Sequence, residues 1–584
     1  MKHRIKLVAA AVAASGVAAI ASPALAVSYA SNVTKTGTTV NFILNSPADI
    51  LSYSINGGAP VTLDGTTKGA KTFNLTSASD TFSIIADRTD ATGYSVKTGN
   101  TIAGGTSALF AASDEGGLRT ISDDTSVLNR FNSPRGISVS NNPNAPNFGT
   151  TYVANSNTGA LVASGTYPAR TLAGEGLYAL RSDGSDAYGF ADAGQNPMID
   201  GFPAWSTNPG PTAPTGLNSP FRPYVASDGS VYVSDYSDLN GSVIQIAPNL
   251  STGINVLPGF TGVTPLPSGQ NHGSTTSVHV EGSLAGGNLK VFTVDEDLTT
   301  NHLTGAGSTT DSNSLWQYDI GSGPFPSAVT PTKIASVLTP GAATDMQRGA
   351  DGKWYLSQYR AGALNSPTLF VLSPDGSTVL FNSLLATRTL TANPTADRDI
   401  LQYAQGMAVS PDQNWLALVL NNSDIAVLPL VDGVPDLANR RVVGTAPDIV
   451  SGRDIAFDAA GNIHYVSSGQ GLYRVIAPGG HSLATTTWNG TSYAFNVQTI
   501  TPPVGLPGDF NGDSKVDGAD FLLWQRGGSP TPLSTADLDT WKANFGTSAA
   551  TPAASAVPEP ASIVGGLTAA AFGMLALRRR QVKK

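Results

Sequence analysis

The sequence predicts an all-β chain with one short helical appendage. Three observations carry this. Charged residues are only 13% of the 584, while Gly and Pro number 63 and 38, a balance too apolar for disorder and too turn-rich for long helices. Apolar residues alternate with Ser, Thr and Asn in runs such as TTVNFILNS and DTFSIIADR, the pattern of half-buried strands. Asp-Gly and Gly-Asn pairs divide many of these runs, and such pairs mark hairpins.

The bulk numbers also exclude classes. There are no cysteines, so disulfides, thiolate metal sites and cysteine nucleophiles are ruled out. A net charge of −9 with no Lys/Arg cluster outside the termini argues against a nucleic-acid partner, because phosphate neutralisation needs a basic face.

At the N-terminus, Lys2, Arg4 and Lys6 precede an apolar run over 7–20, and Ala24-Leu25-Ala26 follows. A charged start, an apolar middle and small residues at the end predict a secretory signal peptide over 1–26. Residues 27–110 then alternate at period two between Gly, Asp and Pro breaks. About seven short strands in that span predict a sandwich, and it resembles the small immunoglobulin-like modules of bacterial surface proteins.

Over 113–500 an internal repeat appears. SPRGISVS…TTYVANS, FRPYVASDGSVYVSD, TDMQRGADGKWYLSQY, AQGMAVSPDQNWLALVL and GRDIAFDAAGNIHYVSS share a strand, a tight turn and a second strand. Six units begin near Arg135, Arg222, Ser277, Gln347, Gln405 and Arg453. A single unit cannot bury both faces, and radial packing into blades solves this. The repeats resemble NHL-type six-bladed β-propellers; seven blades are the alternative. GGLRTIS and SYAFNVQTI are the candidate closing strands.

Candidate chemistry in this region centres on the unit starts: Arg135, Arg222, His279, Gln347, Gln405 and Arg453, with Asp345 and Asp454 beside two of them. Arg and Gln are poor metal ligands. Arg135, Arg222 and Arg453 instead suit anionic groups through bidentate contacts, or brace neighbouring blades. His272, His279, His302, His464 and His481 show no ligand spacing, and no nucleophile or zincin motif is present. The sequence offers no catalytic residue. Asp295, Glu296 and Asp297 form an acidic cluster at a strand end, and Trp205, Trp316, Tyr318, Trp354, Tyr355, Tyr359 and Tyr403 are candidates for sugar stacking or core.

Residues 507–547 concentrate carboxylates. Counting Asp509 as position 1, Asn511, Asp513, Asp517 and Asp520 fall at 3, 5, 9 and 12, with the Lys515 carbonyl at 7. This set can wrap one calcium ion. Pro and Gly upstream forbid an entering helix, and an apolar helix follows. Loop then helix resembles a dockerin type I repeat; STADLDTWKANFG parallels its second half without a ligand set. The resemblance implies one calcium, not two.

After a linker over 548–556, Pro558-Glu559-Pro560 precedes an apolar run over 561–577 and then Arg578, Arg579 and Arg580. This order over 557–584 resembles the PEP-CTERM sorting signal of bacterial envelope proteins. The resemblance implies a C-terminal transmembrane helix, transient inner-membrane anchoring, processing by an exosortase-type enzyme, and a place in the envelope or outside the cell. The expected function is an exported scaffold that binds polysaccharide or a surface protein. The alternative is a polysaccharide hydrolase or lyase, or a metal-dependent lactonase.

Overall fold

A computed structural model describes residues 27–90, 120–189, 220–236, 242–257, 275–295, 314–322, 332–335, 343–358, 367–391, 399–401, 404–420, 425–444, 451–478, 480–500, 508, 510, 515–526 and 533–547. The leader, the linker and the sorting tail, with the apolar run over 561–577, lie outside them. Among the described residues no helix is long and apolar enough to cross a membrane. The chain divides into two compact units, 1–500 and 501–584.

Six antiparallel sheets dominate the described residues of the first unit. Their first strands are Pro134–Val139, Pro220–Val225, Thr275–Glu281, Ala343–Arg348, Ala404–Val409 and Gly452–Phe457. Each of these lies beside the next, and Gly452–Phe457 lies beside Pro134–Val139. The cycle therefore closes on itself, and the fold is a β-propeller. The second strands are buried along most or all of their length, and Trp415–Leu420 is apolar at every position, because each sheet is covered on both faces by its neighbours. Their side chains form the cores between sheets. Tyr232 and Val243 meet Val278, Val291 and Trp316 between the second and third sheets, and Ala417 and Val427 meet Ile455 and Tyr465 between the fifth and sixth.

Closure uses the chain that precedes the first sheet. Thr120 bridges Ile476 and Arg130 bridges Leu472, so 120–130 runs along the open edge of the sixth sheet. Ile121 N–H donates to Val475 O at 2.9 Å, and Phe131 N–H to Gly471 O at 2.8 Å. Arg474 grips Asp124 with Nε at 3.1 Å and Nη2 at 2.8 Å. The end of the GGLRTIS stretch, Thr120 to Ser122, thus lies on the closing edge, but SYAFNVQTI does not.

SYAFNVQTI belongs to the sandwich instead. Gly480–Trp488 pairs along its whole length with Phe82–Asp90, and Tyr493–Ile500 adds the outer strand. The resulting five-stranded sheet faces a three-stranded one built from Ala30–Thr36, Thr39–Leu44 and Gly69–Asn74. Val40, Phe42, Leu51, Phe73, Phe82 and Ile84 fill the space between. The sequence pattern ends this module at 110 and assigns 480–500 to the repeat region, and the structure corrects both. Local periodicity identifies strands but not their partners, and these partners lie about 400 residues apart. The sandwich seats on the propeller through Tyr29, whose ring meets Phe148 and Phe495 edge-on at 6.0 and 5.4 Å. Asn144 exchanges two hydrogen bonds with the Tyr493 backbone, at 2.9 and 2.7 Å.

In the second unit, Gly518–Gln525 and Thr535–Asn544 are helices. Phe521 packs on Trp541 at 4.8 Å, and Trp541 Nε1 donates to Asp517 O at 2.8 Å.

Candidate functional site

All six first strands carry a register shift near their start. One residue is extra at Arg135, Thr276, Thr344, Gln405 and Arg453, and the shift in the second sheet falls between Pro220 and Pro223. A bulge re-aims side chains. Six bulges at one level produce two tiers along the axis. The upper tier is Arg135, Phe221, Thr276, Thr344, Gln405 and Arg453. The next residues, Gly136, Arg222, Ser277, Asp345, Gly406 and Asp454, form the lower tier.

The lower tier is a polar plug. Arg222, 3% exposed, forms ion pairs with Asp454 and, through Nε at 3.5 Å, with Asp345. Its Nε donates to Thr344 O at 2.9 Å, and its Nη2 donates to Gln405 O. Asp345 accepts from Ser277 Oγ and from the amides of Met346 and Met407, each at 2.8 Å. Asp454 accepts from the Ile137 amide at 2.8 Å. One guanidinium and two carboxylates therefore tie all six first strands together. Two glycines make room: a Cβ on Gly406 would overlap Asp454 Oδ1, and one on Gly136 would overlap Phe221 O. Burial pushes both Asp carboxyls above the usual carboxylate range, and Arg222 offsets only part of that rise.

Below the plug, towards the ends of the first strands, a cavity of about 530 Å3 opens. Ser138, Tyr224, Gln347 and Ala408 line it, with Asn141, Asn142 and Ser227 further along. Arg222, Asp345 and Asp454 of the plug form its roof, and below that roof the polar groups are hydroxyl, phenol and amide. Burial, with Glu281 adding, raises the Tyr224 phenol to about 12, so it stays protonated and can donate. His279 packs its ring against Tyr224 at 4.8 Å and Trp354 at 5.7 Å. Burial first, then Arg348, lowers its pKa to about 3, so it is a neutral packed side chain.

Above the plug, Arg135 and Arg453 hold equivalent places on adjacent strands with the same clip. Arg135 Nε donates to Ser156 Oγ at 3.2 Å, and Arg453 Nε to Ser468 Oγ at 2.9 Å. Each serine in turn donates to a backbone carbonyl, Ser133 O and Ser451 O, at 3.2 Å. Arg453 Nη1 reaches Gln405 Oε1 at 3.4 Å.

The three sequence-selected arginines thus separate. Arg135 and Arg453 share the upper tier, while Arg222 lies one residue further along, inside the plug. Sequence reading put Arg222 level with the other two and treated Asp345 and Asp454 only as neighbours. The usable signal was glycine: setting Gly136 and Gly406 level with Asp345 and Asp454 reveals the bulge register. Sequence reading also missed Ser138 and Tyr224 in the cavity.

Other candidates resolve as structure. Trp316, Tyr318, Trp354 and Tyr355 are core residues at 1% exposure or less; Trp205, Tyr359 and Tyr403 lie outside the described residues. His464 is buried, with Nδ1 3.0 Å from Tyr473 OH and Nε2 3.3 Å from Asp458 Oδ2. His481 Nε2 lies 2.7 Å from Asp87 Oδ1. His272 and His302 lie outside the described residues. Asp295 ends the strand Leu289–Asp295; Glu296 and Asp297 lie outside the described residues. Among the described residues no three His, Cys, Asp or Glu side chains group as metal ligands.

Of the acidic loop, Asp509, Asn511 and Asp513 lie outside the described residues. Asp517 caps the helix Gly518–Gln525 by accepting from the Ala519 amide at 2.7 Å. Asp520, wholly buried, accepts from the amides of Phe510 and Asp517, both at 2.8 Å. The Lys515 side chain is exposed.

No protein-family model matches the chain, and no curated protein matches it in sequence. Among solved structures, a structural-genomics protein from Bacteroides thetaiotaomicron is 12% identical, with 77% of this chain and 98% of that one covered at a TM-score of 0.35. The WD40 β-propeller domain of Doa1 is 10% identical, covering 59% and 93% at 0.33. Virginiamycin B lyase from Staphylococcus aureus is 13% identical, covering 62% and 97% at 0.31. Likenesses at this level carry no functional argument, and the fold assignment rests on the closed cycle of strands.

Proposed function

We propose that the chain is an exported, non-enzymatic scaffold whose six-bladed propeller binds an extracellular polysaccharide or surface protein. The carrying observation is the division of labour on the axis. The charges of Arg222, Asp345 and Asp454 brace one another and the backbone, and the cavity that they roof presents Ser138, Tyr224 and Gln347 to a ligand. Neutral donors and acceptors on an aromatic wall suit hydroxyl-rich or peptide-like ligands.

The small second unit reads as a dockerin-like module stapled by one calcium ion. Asp509, Asn511, Asp513, the Lys515 carbonyl, Asp517 and Asp520 would hold it. The described part of the loop fits a hard cation, because it offers oxygen donors and a wholly buried Asp520 carboxylate. Calcium would close the loop under the first helix, so the module folds where calcium is plentiful. The leader over 1–26 and the sorting signature at Pro558-Glu559-Pro560 with Arg578, Arg579 and Arg580 support export, passage through the inner membrane and handling by an exosortase-type enzyme.

The test is co-sedimentation of the full chain with insoluble neutral polysaccharides. The wild type should sediment with at least one of them, and Tyr224→Ala and Gln347→Ala should stay in solution. Equal sedimentation of all three chains, or of none, would refute the cavity as the binding site.

A further inference from the structure

The upper tier carries its own arrangement, distinct from the cavity below the plug. Going round the cycle from the fifth sheet to the second, it places Gln405, Arg453, Arg135 and Phe221 on four consecutive first strands. The Phe221 ring stacks on Tyr236, with centroids 5.0 Å apart and planes at 21°. Gln405 is 4% exposed, and its Nε2 is buried without a hydrogen-bond partner. Its Oε1 already accepts from Arg453, so the amide N–H2 points away from that contact. A buried amide nitrogen left unpaired is costly, and an acceptor supplied from outside would satisfy it.

We propose that this arc is a carboxylate-binding subsite for the uronic acid units of an acidic polysaccharide. The two guanidinium groups supply charge and forked donors matched to a carboxylate. Their Nε atoms are held by Ser156 and Ser468, so both forks are pre-set. Gln405 Nε2 adds a neutral donor beside Arg453. The Phe221 ring, on the strand next to Arg135, stacks on Tyr236 and has the Arg222 guanidinium 5.7 Å from its centroid, and the pair would present an aromatic face to a sugar ring. That face favours a glycan over an acidic peptide. The plug of Arg222, Asp345 and Asp454 separates this subsite from the cavity below. The assignment rests on the scaffold reading but uses none of the cavity's residues.

Calorimetric titration of the full chain with hexagalacturonate tests it, with cellohexaose, dextran sulfate and polyglutamate as comparators. Arg135→Gln, Arg453→Gln and Gln405→Glu should each weaken hexagalacturonate binding at least tenfold. Gln405→Glu keeps the side-chain shape while reversing the donor, so it serves if an arginine variant fails to fold, which thermal melts will reveal. Binding should weaken with added salt, and Tyr224→Ala should leave it unchanged. Hexagalacturonate binding that survives the upper-tier changes but falls in Tyr224→Ala would overturn the subsite and keep the scaffold. Failure to bind hexagalacturonate would overturn the subsite, and the sedimentation of neutral polysaccharide would then decide the scaffold separately. Tighter binding of dextran sulfate or polyglutamate through the same residues would overturn the uronate assignment.

Discussion

Arg222 and Asp454 form an ion pair across the place where Gly136 carries no side chain. They come from first strands that are not neighbours, since Pro134–Val139 lies between them. At this level the intervening strand carries Gly136, where a Cβ would run into Phe221 O and Arg222 Cα, so glycine lets the strand of Arg222 lie close. The same logic holds at Gly406, between the strands of Asp345 and Asp454. Charged residues alternate with the small residues Gly136, Ser277 and Gly406, so that three charged side chains fit where six would collide.

Removing Arg222 should therefore be severe. Arg222→Met leaves two buried carboxylates without their counter-charge, which costs about 3–5 kcal/mol. The triple change Arg222→Met, Asp345→Leu and Asp454→Leu should recover much of that loss, because it leaves no unpaired charge. Chemical denaturation of the three chains measures both effects. A single variant as stable as the wild type would show that the plug does not brace the cycle.

The pH dependence follows from the raised carboxyl pKa values of Asp345 and Asp454. Folded carboxyls with raised pKa hold protons that the unfolded chain releases. Their contribution to stability is thus present below the ordinary carboxylate range and is lost as pH rises through the folded values. Arg222 opposes that rise in pKa. Arg222→Met should consequently lose more stability than the wild type between pH 4.5 and 8, and parallel stability curves over that window would contradict the assignment.

Gly406→Ala places a methyl group against Asp454 Oδ1 and within 3.0 Å of Arg222 Nη1. Overpacking at such a site costs about 1–3 kcal/mol. Gly518→Ala, where an added Cβ meets nothing within 4 Å, is the matched control in a thermal melt and should leave the melting temperature near that of the wild type.

The acidic loop gives a fluorescence prediction. Trp524 Nε1 donates to Ser534 O at 3.0 Å and Trp541 Nε1 to Asp517 O at 2.8 Å, so both indoles report on loop closure. Chelator should shift their emission to the red, and added calcium should restore it with a stoichiometry of one. Asp520→Ala should abolish the calcium response. Retention of that response would remove Asp520 from the ligand set.

Much of this was legible in the sequence, for identifiable reasons. Strands such as Trp415–Leu420 announce themselves because burial on both faces demands unbroken apolar runs. The repeat is visible because each sheet solves the same packing problem. The arginines at 135 and 453 stand at repeat starts, where residue type alone picks them out. What escaped was register. A single extra residue at each bulge moves a side chain from one tier to the next, and alignment by residue type alone cannot see that Arg222 is offset from Arg135. The pairing of Gly480–Trp488 with Phe82–Asp90 was hidden for a related reason, because nothing local to either strand names its partner.

The central claim is that the propeller binds a polysaccharide without transforming it. The most direct measurement mixes the full chain, with calcium and with chelator, with neutral and acidic polysaccharides, and follows co-sedimentation together with newly formed reducing and unsaturated ends. Binding with no new ends over prolonged incubation is the predicted result. Accumulation of either kind of end in proportion to protein would contradict the claim and make the chain a hydrolase or a lyase.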